Sequence, residues 1–317
     1  MVTIADVFAA RRTLAGLVRR TPVLTSEAID QVAGCTVFAK AECLQVTGSF
    51  KARGALNRMS ALSEQEKSRG VVAASAGNHA LAVAYAAKGL GIAATVCMPI
   101  GAVQFKADGV RALGATLLQP GADSTALFAK VDELAHERGL TPIAPFDHPL
   151  TVAGAGTLGM EFVEDAPELD DLVVPTSGGG LLSGVLVAVK ALSPKTRVIG
   201  VQPETCLSII NSLKAGEPTT VTGEVTTIAD GLSARRPGNL NFEIIRALVD
   251  DVVAIPDEPM RTAMGLIAKH YKLLAEGAGA AALAYVLTNP QRFAGRRVGV
   301  VVSGGNVAPD LAASVLA

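Results

Sequence analysis

The sequence contains no tryptophan, and aromatic residues make up only 4% of it, although half of its residues are apolar. A core of this composition is built mainly from Ala, Val, Leu and Ile, which is typical of sheets covered by alanine-rich helices. Neither sign of charge is in excess, since 28 basic residues stand beside 29 acidic ones. This balance offers no basic footprint for nucleic acid and no patch for an anionic membrane, so we expect neither as a partner.

Cysteine is scarce and long apolar runs are missing. The four cysteines show no Cys-x-x-Cys spacing: Cys35, Cys43, Cys97 and Cys206. Scattered thiols of this kind are typical of reduced, mostly buried cysteines in a cytosolic protein. The apolar run 181–189 ends at Lys190 and is too short to span a bilayer. No basic segment followed by an apolar stretch stands before Asp6, so we expect a cytoplasmic protein without a secretory signal.

Short β-rich runs alternate with helix-length stretches along most of the chain. Strands are predicted at about 71–74, 93–98, 115–118, 172–175, 198–201 and 297–302. Helices are predicted at about 4–20, 78–88, 102–113, 123–138, 180–192 and 205–214. A strand followed by a helix at this spacing indicates βαβ units and mainly parallel sheets, which need helices on both faces. The sequence therefore predicts an α/β fold.

Three prolines cluster between two of these blocks: Pro142, Pro145 and Pro149. They predict that the chain crosses between domains near 141–150. We predict a large domain formed by residues 1–62 and 145–317, and a small mobile domain formed by residues 63–144.

Lys51 lies in the run TGSFKARGA, residues 47–55. It follows the aromatic ring of Phe50 and stands between small residues that let a flat ligand approach the backbone. Partial burial there disfavours the ammonium form and frees the lone pair of the amine. The pattern favours a lysine that bonds covalently to a cofactor, because a solvated helical lysine needs no such surroundings.

The strongest signal for a phosphate site is a glycine-rich loop that leads from a predicted strand into a helix: Ser177, Gly178, Gly179, Gly180 and Leu181. Successive glycines let several backbone N–H groups converge on an anion, and the helix N-terminus adds a favourable dipole. A glycine-rich turn without a ligand remains the alternative.

Two more polar segments follow predicted strands, where parallel-sheet proteins bind ligands. The backbone amides of 75–79 and the side chain of Asn78 could bind a carboxylate or a phenolate-like oxygen, although Asn78 could equally cap a helix. Ser303 follows the last strand. Two acid–glycine pairs could line the same site or form turns: Asp230-Gly231 and Glu276-Gly277. The four histidines show no metal-ligand spacing, so we predict no metal site.

The segment 154–159, GAGTLG, matches the dinucleotide-binding spacing G-x-G-x-x-G. That spacing indicates a nucleotide only directly after a strand and with an acidic residue about 20 positions further on. The residues before it form a poor strand. We interpret the segment as small residues that pack a helix start.

Six motifs together resemble those of the fold-type-II pyridoxal-phosphate enzymes, specifically the threonine/serine dehydratase and serine racemase group: TGSFK at 47–51, SAGNH at 75–79, SGGG at 177–180, ADG at 229–231, EGAG at 276–279 and SGGN at 303–306. They occur in the family's order and cover essentially the whole chain. The resemblance implies a tryptophan synthase β-like fold, in which two open, mainly parallel α/β domains hold pyridoxal 5′-phosphate (PLP) between them. The segment 236–240 followed by Asp250-Asp251 is most similar to short, catabolic-type threonine dehydratases.

The resemblance also implies roles for individual residues. Lys51 would carry the cofactor and then remove the Cα proton of the substrate. Phe50 would flank the cofactor ring, Asn78 would bind its 3′ oxygen, and Ser303 would meet its ring nitrogen. The remaining cofactor-binding residues would be Ser177, Gly178, Gly179, Gly180 and Leu181 at the phosphate, with Gly231 and Glu276. The substrate would contact Ser75, Ala76, Gly77, Asn78, His79 and Phe146.

The implied activity is that of a PLP-dependent lyase. It would eliminate the β-hydroxyl of L-threonine or L-serine and release a 2-oxo acid and ammonia. A 3-hydroxyaspartate or phenylserine dehydratase, a serine racemase and a Rossmann-type nucleotide-binding protein remain alternatives. Racemases of the group carry a serine where Ala76 stands, which favours elimination. We expect a homo-oligomer, either a dimer or a tetramer.

Overall fold

The computed structural model describes residues 1–122 and 124–316; Asp123 and Ala317, which the predicted helix and domain ranges include, lie outside the described residues. Its strands are β1 (Val23–Leu24), β2 (Thr36–Lys40), β3 (Val71–Ala74), β4 (Ala94–Cys97), β5 (Thr116–Leu118), β6 (Thr141–Pro142), β7 (Asp171–Pro175), β8 (Arg197–Pro203), β9 (Asp251–Ile255) and β10 (Arg297–Val301).

Helices separate most of these strands. They are α1 (Ile4–Leu14), α2 (Glu27–Ala33), α3 (Lys51–Ser60), α4 (Glu64–Arg69), α5 (Asn78–Leu90), α6 (Gln104–Ala112), α7 (Ser124–Arg138), α8 (Pro149–Asp165), α9 (Gly180–Leu192), α10 (Ser208–Ala215), α11 (Asn239–Leu248), α12 (Asp257–Leu266), α13 (Gly277–Thr288), α14 (Pro290–Phe293) and α15 (Pro309–Leu316). None of the helices in the described residues combines the length and apolarity needed to cross a bilayer.

The strands form two separate sheets. The larger has the order β1-β2-β10-β7-β8-β9, and all its pairs are parallel except that of β1 with β2. The smaller has the order β5-β4-β3-β6 and is parallel throughout. The mainly parallel α/β fold that the sequence predicts is thereby confirmed. Because carboxyl ends of parallel strands meet at one edge, each sheet gathers the residues that follow its strands.

The small sheet uses strands from within residues 71–142, and the large sheet uses strands from both flanking segments. We propose the same domain division as the sequence suggests, 63–144 against 1–62 and 145–317. Helix α3 packs against α5 on one side and α8 on the other, so it connects the two cores.

Two sequence expectations change in the structure. The predicted helix at 4–20 is shorter, because α1 ends at Leu14 and the chain turns at Gly16, whose φ is 76°. Phe8 and Leu17, which the periodicity placed on the buried face, are 40% and 39% exposed. The helix predicted from residue 205 begins only at Ser208.

The segment 154–159 lies inside α8, which begins at Pro149, and not at a helix start. A Cβ at Gly154 would stand 2.5 Å from the carbonyl oxygen of Arg53, and one at Gly156 would stand 3.0 Å from that of Gly184. The small residues therefore let α8 pack closely against α3 and α9. The segment therefore does not support the alternative of a Rossmann-type nucleotide-binding protein. The residues directly before it are helical and do not form a strand, and its glycines pack against protein.

Candidate active site

A cavity of about 430 Å³ lies at the carboxyl ends of strands from both sheets. Ser75 follows β3, while Ser177 and Ser303 follow β7 and β10. The structure brings every site residue predicted from the sequence to the lining of this cavity: Phe50, Lys51, Ser75, Ala76, Gly77, Asn78, His79, Phe146, Ser177, Gly178, Gly179, Gly180, Leu181, Gly231, Glu276 and Ser303. A volume of this size is typical of a small-molecule or cofactor site.

Lys51 is the first residue of α3 and points its amine into the cavity. The Nζ atom donates a 2.8 Å hydrogen bond to the carbonyl oxygen of Pro145 and lies 5.2 Å and 6.0 Å from the ring centroids of Phe50 and Phe146. Burial lowers the pKa of the Lys51 amine to about 8, and the charge of Glu276 opposes this fall. The site therefore supplies a lysine that is easily deprotonated.

We expect the apoprotein to capture PLP faster as the pH rises towards about 8, the pKa of Lys51, and to level off above it. At pH 7 about one amine in ten is neutral at that pKa, against about one in three thousand for an ordinary lysine. The measurement is the rate of appearance of the cofactor's bound absorption band between pH 6 and 10. Reaction of PLP with a lysine model compound provides the correction for the cofactor's own titration. A rate that still climbs between pH 9 and 10 would contradict the lowered pKa.

A buried charge network fixes helix α3 and with it Lys51. The guanidinium of Arg53, fully buried, donates to both carboxylate oxygens of Glu42 and to both of Glu161. It also donates to Thr157 and to the carbonyl oxygen of Arg19. A buried cation is tolerated only when it is paired and hydrogen-bonded in this way. The network ties α3 to α8, so the backbone that carries Lys51 is held on a rigid element.

The loop 177–181 forms a cradle at the N-terminus of α9. Gly179 has a φ of 96°, in the left-handed region, and a Cβ there would stand 2.8 Å from the Cβ of Asn241. Asn241 in turn donates from Nδ2 to the carbonyl oxygens of Phe146 and Gly178. The first amides of a helix have no intrahelical partner, so the start of α9 can receive an anion.

The loop 75–79 forms the opposite wall of the cavity and leads into α5. The amide of Gly77 donates to Ser75 Oγ at 3.2 Å, which closes the loop on itself. Asn78 Nδ2 donates to Glu276 Oε1 at 2.5 Å, and Asn306 Nδ2 donates to Asn78 Oδ1 at 2.8 Å. The side chain of Asn78 is therefore held by two partners from the large-sheet side. The N-terminal amides of α5 could receive a carboxylate.

His79 is suited to packing and not to proton transfer. It is buried, and its Nε2 donates to the carbonyl oxygen of Ile143 at 2.9 Å. Burial, with nearby Lys51 adding to it, lowers the pKa of His79 to about 3. The ring is therefore neutral near pH 7. Among residues 1–122 and 124–316, no three His, Cys, Asp or Glu side chains form a cluster that could hold a metal ion.

Ser303 and Glu276 lie together on the large-sheet side. Ser303 Oγ donates to the carbonyl oxygen of Ala278 at 3.3 Å. Burial raises the pKa of the Glu276 carboxyl to about 7, and the ammonium of Lys106 opposes the rise. Glu276 Oε2 finds no hydrogen-bond partner among the described residues. A buried, unsatisfied carboxylate oxygen at the wall of a cavity is typical of a site that a ligand completes.

Sequence reasoning missed Lys106 and Asn306 as members of the site, and it left Asp230 open between a turn and a place in the site. Lys106 Nζ lies 3.0 Å from Asp230 Oδ2, and both residues line the cavity. One signal was available for Lys106: it lies four residues before Val110, on the helix face that turns out to be buried. Asn306 belongs to the motif at 303–306, but its contact with Asn78 joins residues 228 positions apart.

These features fit a flat phosphorylated aldehyde. A desolvated amine, an anion cradle at a helix N-terminus and a hydroxyl at a strand end all face one cavity. The glycines let the cradle pack directly against the aromatic wall of the cavity, since a Cβ at Gly178 would stand 2.4 Å from the ring of Phe146. The residues present could hold PLP.

Comparisons with known proteins agree with this geometry. The family model described as pyridoxal-phosphate dependent enzyme matches residues 14–304. An L-threonine ammonia-lyase of Thermotoga maritima is 43% identical over 307 residues, which cover 97% of this chain and 76% of that protein. The catabolic L-threonine dehydratase TdcB of Escherichia coli K12 is 40% identical over 310 residues, covering 96% of this chain and 93% of that protein.

Solved structures give the same result. The structure of maize serine racemase superposes with a TM-score of 0.93 at 36% identity, covering 98% of this chain and 95% of that one. Likeness at this level in sequence and structure extends across both sheets and the cavity between them. The chain therefore belongs to the family of pyridoxal-phosphate-dependent enzymes.

Proposed function

We propose that the protein is an ammonia-lyase that eliminates the β-hydroxyl of L-threonine or L-serine. Elimination removes water, and hydrolysis of the released enamine takes it up again, so one amino acid gives one 2-oxo acid and one ammonia. The proposal is supported by the two relatives named as a threonine ammonia-lyase and a threonine dehydratase.

The observation that carries the proposal is the position of the Lys51 amine. It is a nucleophile of lowered pKa at the start of α3, and it faces the same cavity as the glycine loop 177–181. When bound, PLP supplies an electron-withdrawing ring that accepts the charge left by the departing Cα proton. Lys51 would hold the cofactor and then accept that proton at Nζ.

The other predicted residues would orient the two ligands. The amides of Ser177 to Leu181 would hold the phosphate, Asn78 the 3′ oxygen, and Ser303 the ring nitrogen, while Phe50, Gly231 and Glu276 would line the ring. The loop 75–79 would receive the substrate carboxylate, and Phe146 would border its side chain. Because a serine hydroxyl does not enforce a protonated ring, the electron sink is mild, which suits a carbanion that loses its β-hydroxyl at once.

Racemisation is the second candidate, because the maize structure is a serine racemase. Racemisation needs a group that returns a proton to the face opposite Lys51. Ala76 stands at the position where racemases of the group carry a serine, and its methyl group can neither give nor take a proton. We therefore propose elimination as the main reaction.

A substrate panel tests the proposed specificity. Purified protein loaded with PLP is offered L-threonine, L-serine, 3-hydroxyaspartate and phenylserine, and release of 2-oxo acid is measured for each. We expect kcat/KM for L-threonine or L-serine to exceed that for the other two by about tenfold or more, as a change of one side-chain group allows. A higher kcat/KM for 3-hydroxyaspartate or phenylserine would contradict the proposal and would show that the protein is a dehydratase of that substrate.

We also propose that the protein works in the cytoplasm as a homo-oligomer, either a dimer or a tetramer. The four cysteines are free, and three of them are buried, which suits a reducing compartment. Several large apolar side chains are exposed, among them Ile100, Val32 and Leu316. Light scattering on the purified protein that returns the chain mass of 32.4 kDa would rule out the oligomer.

A further inference from the structure

Lys106 is a buried charge in the wall of the cavity that the proposed reaction leaves without a role. It lies on α6, beside the small sheet, and its side chain is only 4% exposed. Its Nζ is 3.0 Å from Asp230 Oδ2 and 3.9 Å from Glu276 Oε2. Both carboxylates belong to the other side of the cavity. A cation buried to this degree needs paired charges to be tolerated.

The ion pairs of Lys106 connect two parts of the molecule that other ion pairs do not. Within the described residues, every other ion pair stays inside 63–144 or inside the two segments that flank it. Lys106 therefore forms the electrostatic connection across the cavity.

The side chain of Lys106 also lies beside the loop 75–79. Its Nζ, Cε and Cδ atoms all lie within 4.0 Å of the point where a Cβ on Gly77 would stand. The lysine side chain thus runs beside the backbone of the loop on its way to the two carboxylates. If this side chain shifted, the loop 75–79 would lose the neighbour against which its backbone lies.

Lys106 is also linked to Asn78 through Glu276. Glu276 Oε1 accepts from Asn78 Nδ2, while Glu276 Oε2 faces Lys106 and has no hydrogen-bond partner in the part of the chain that the structure describes. The charged groups that act on Glu276 are Lys106 from α6, Lys51 from α3 and Asp230. Lys106 favours the ionised carboxylate, which can accept from Asn78 with either oxygen.

We propose that Lys106 is a positioning residue: its ammonium group joins the loop 75–79 to Asp230 and Glu276, and so holds the carboxylate-binding wall of the cavity at the correct distance from Lys51. The inference rests on the proposed function in one respect, namely that the substrate carboxylate binds at this loop. Lys106 touches neither of the reacting atoms in this assignment. Its effect is on substrate affinity and on the order of the loop.

The test compares Lys106→Met, which keeps the length of the side chain without its charge, with Lys106→Arg, which keeps the charge. Lys130→Met is the matched control, because Lys130 pairs with Glu133 within α7 and neither residue lines the cavity. We expect Lys106→Met to raise KM by about 10- to 100-fold with kcat within about threefold of the unsubstituted protein, as loss of one buried charge partner allows. Lys106→Arg should recover most of the affinity, and Lys130→Met should change neither constant.

Hydrogen exchange of the apoprotein supplies a readout that does not depend on turnover. We expect the amides of residues 75–79 to exchange at least about tenfold faster in Lys106→Met than in the unsubstituted protein, because the loop loses the ion-paired side chain that supports it from beside Gly77. Exchange in β7 and β10 should be unchanged. If Lys106→Met does not fold, Asp230→Asn breaks the same ion pair at its half-exposed end and is expected to give the same two changes.

Unchanged KM together with unchanged exchange at 75–79 would overturn the inference, and so would a fall in kcat at constant KM. Failure of the proposed function is a separate result. In that case the unsubstituted protein releases no 2-oxo acid, while the exchange comparison still reports whether Lys106 supports the loop.

Discussion

Replacement of Lys51 by alanine is expected to lower kcat for 2-oxo acid release by about 10⁴-fold or more. In the proposed mechanism, the variant loses both the amine that bonds to the cofactor and the base that takes the Cα proton. It also loses the hydrogen bond from Nζ to the carbonyl oxygen of Pro145, but the buried Arg53 network holds α3 independently. We therefore expect a folded and inactive protein, measured by kcat together with thermal unfolding.

Lys88→Ala is the control, because Lys88 is an exposed lysine near the end of α5. It should retain the activity of the unsubstituted protein. Borohydride reduction of the PLP-loaded protein should attach the cofactor permanently to the peptide that contains Lys51. Turnover by Lys51→Ala at more than a small fraction of the unsubstituted rate would contradict the assigned role.

Gly179→Ala is expected to weaken PLP binding by about 100-fold or more. Its φ of 96° is unfavourable for any residue with a side chain, and the new Cβ would stand 2.8 Å from Asn241. Relief of this contact would move Asn241, whose side chain holds the carbonyl oxygen of Gly178, and the amides of the loop would no longer converge on the phosphate. Titration of the apoprotein with PLP, followed by absorbance, gives the dissociation constant.

Gly216→Ala is a matched control for the backbone strain alone. Gly216 has a φ of 79° at the end of α10, and among residues 1–122 and 124–316 no atom beyond its chain neighbours lies within 4 Å of its Cβ position. We expect this variant to lose about 1 kcal/mol of stability and none of its affinity for PLP. A dissociation constant for Gly179→Ala within about threefold of the Gly216→Ala value would show that the loop does not bind the phosphate.

Much of the candidate site could be predicted from short segments of the sequence. The glycine loop predicted a helix start, and α9 does begin at Gly180. The residues after β3, β7 and β10 were each expected near a ligand because parallel-sheet proteins bind ligands at the carboxyl ends of their strands, and Ser75, Ser177 and Ser303 line one cavity. Fold and candidate site could be predicted because each depends on residues close in sequence, or on a rule that applies to every parallel sheet.

The connections between these elements could not be predicted, because they join residues distant in sequence. The pair Lys106–Asp230 is separated by 124 residues and the pair Asn78–Glu276 by 198. No periodicity or spacing encodes such contacts. The same holds for Arg53. Its position in the sequence gives no sign of burial, but the side chain is fully buried and hydrogen-bonded to Glu42 and Glu161.

The length of α1 shows a second limit of prediction from the sequence, namely that hydrophobic periodicity does not fix where a helix ends. Apolar residues continued the helical spacing as far as Val18, but the helix ends at Leu14. Leu17 is largely exposed, so its apolar character does not report burial. A single exposed apolar residue is common on protein surfaces, and periodicity counts it as part of the buried face.

The most direct measurement follows the products of both candidate reactions, elimination and racemisation, with L-serine as the substrate. Purified, PLP-loaded protein is incubated with L-serine, and the 2-oxo acid, ammonia and D-serine are measured in the same sample. With Lys51 as base and Ala76 in place of a second proton donor, we expect 2-oxo acid and ammonia in equal amounts and D-serine at less than about a tenth of their rate. D-serine formed faster than the 2-oxo acid would contradict the assignment of the protein as an ammonia-lyase.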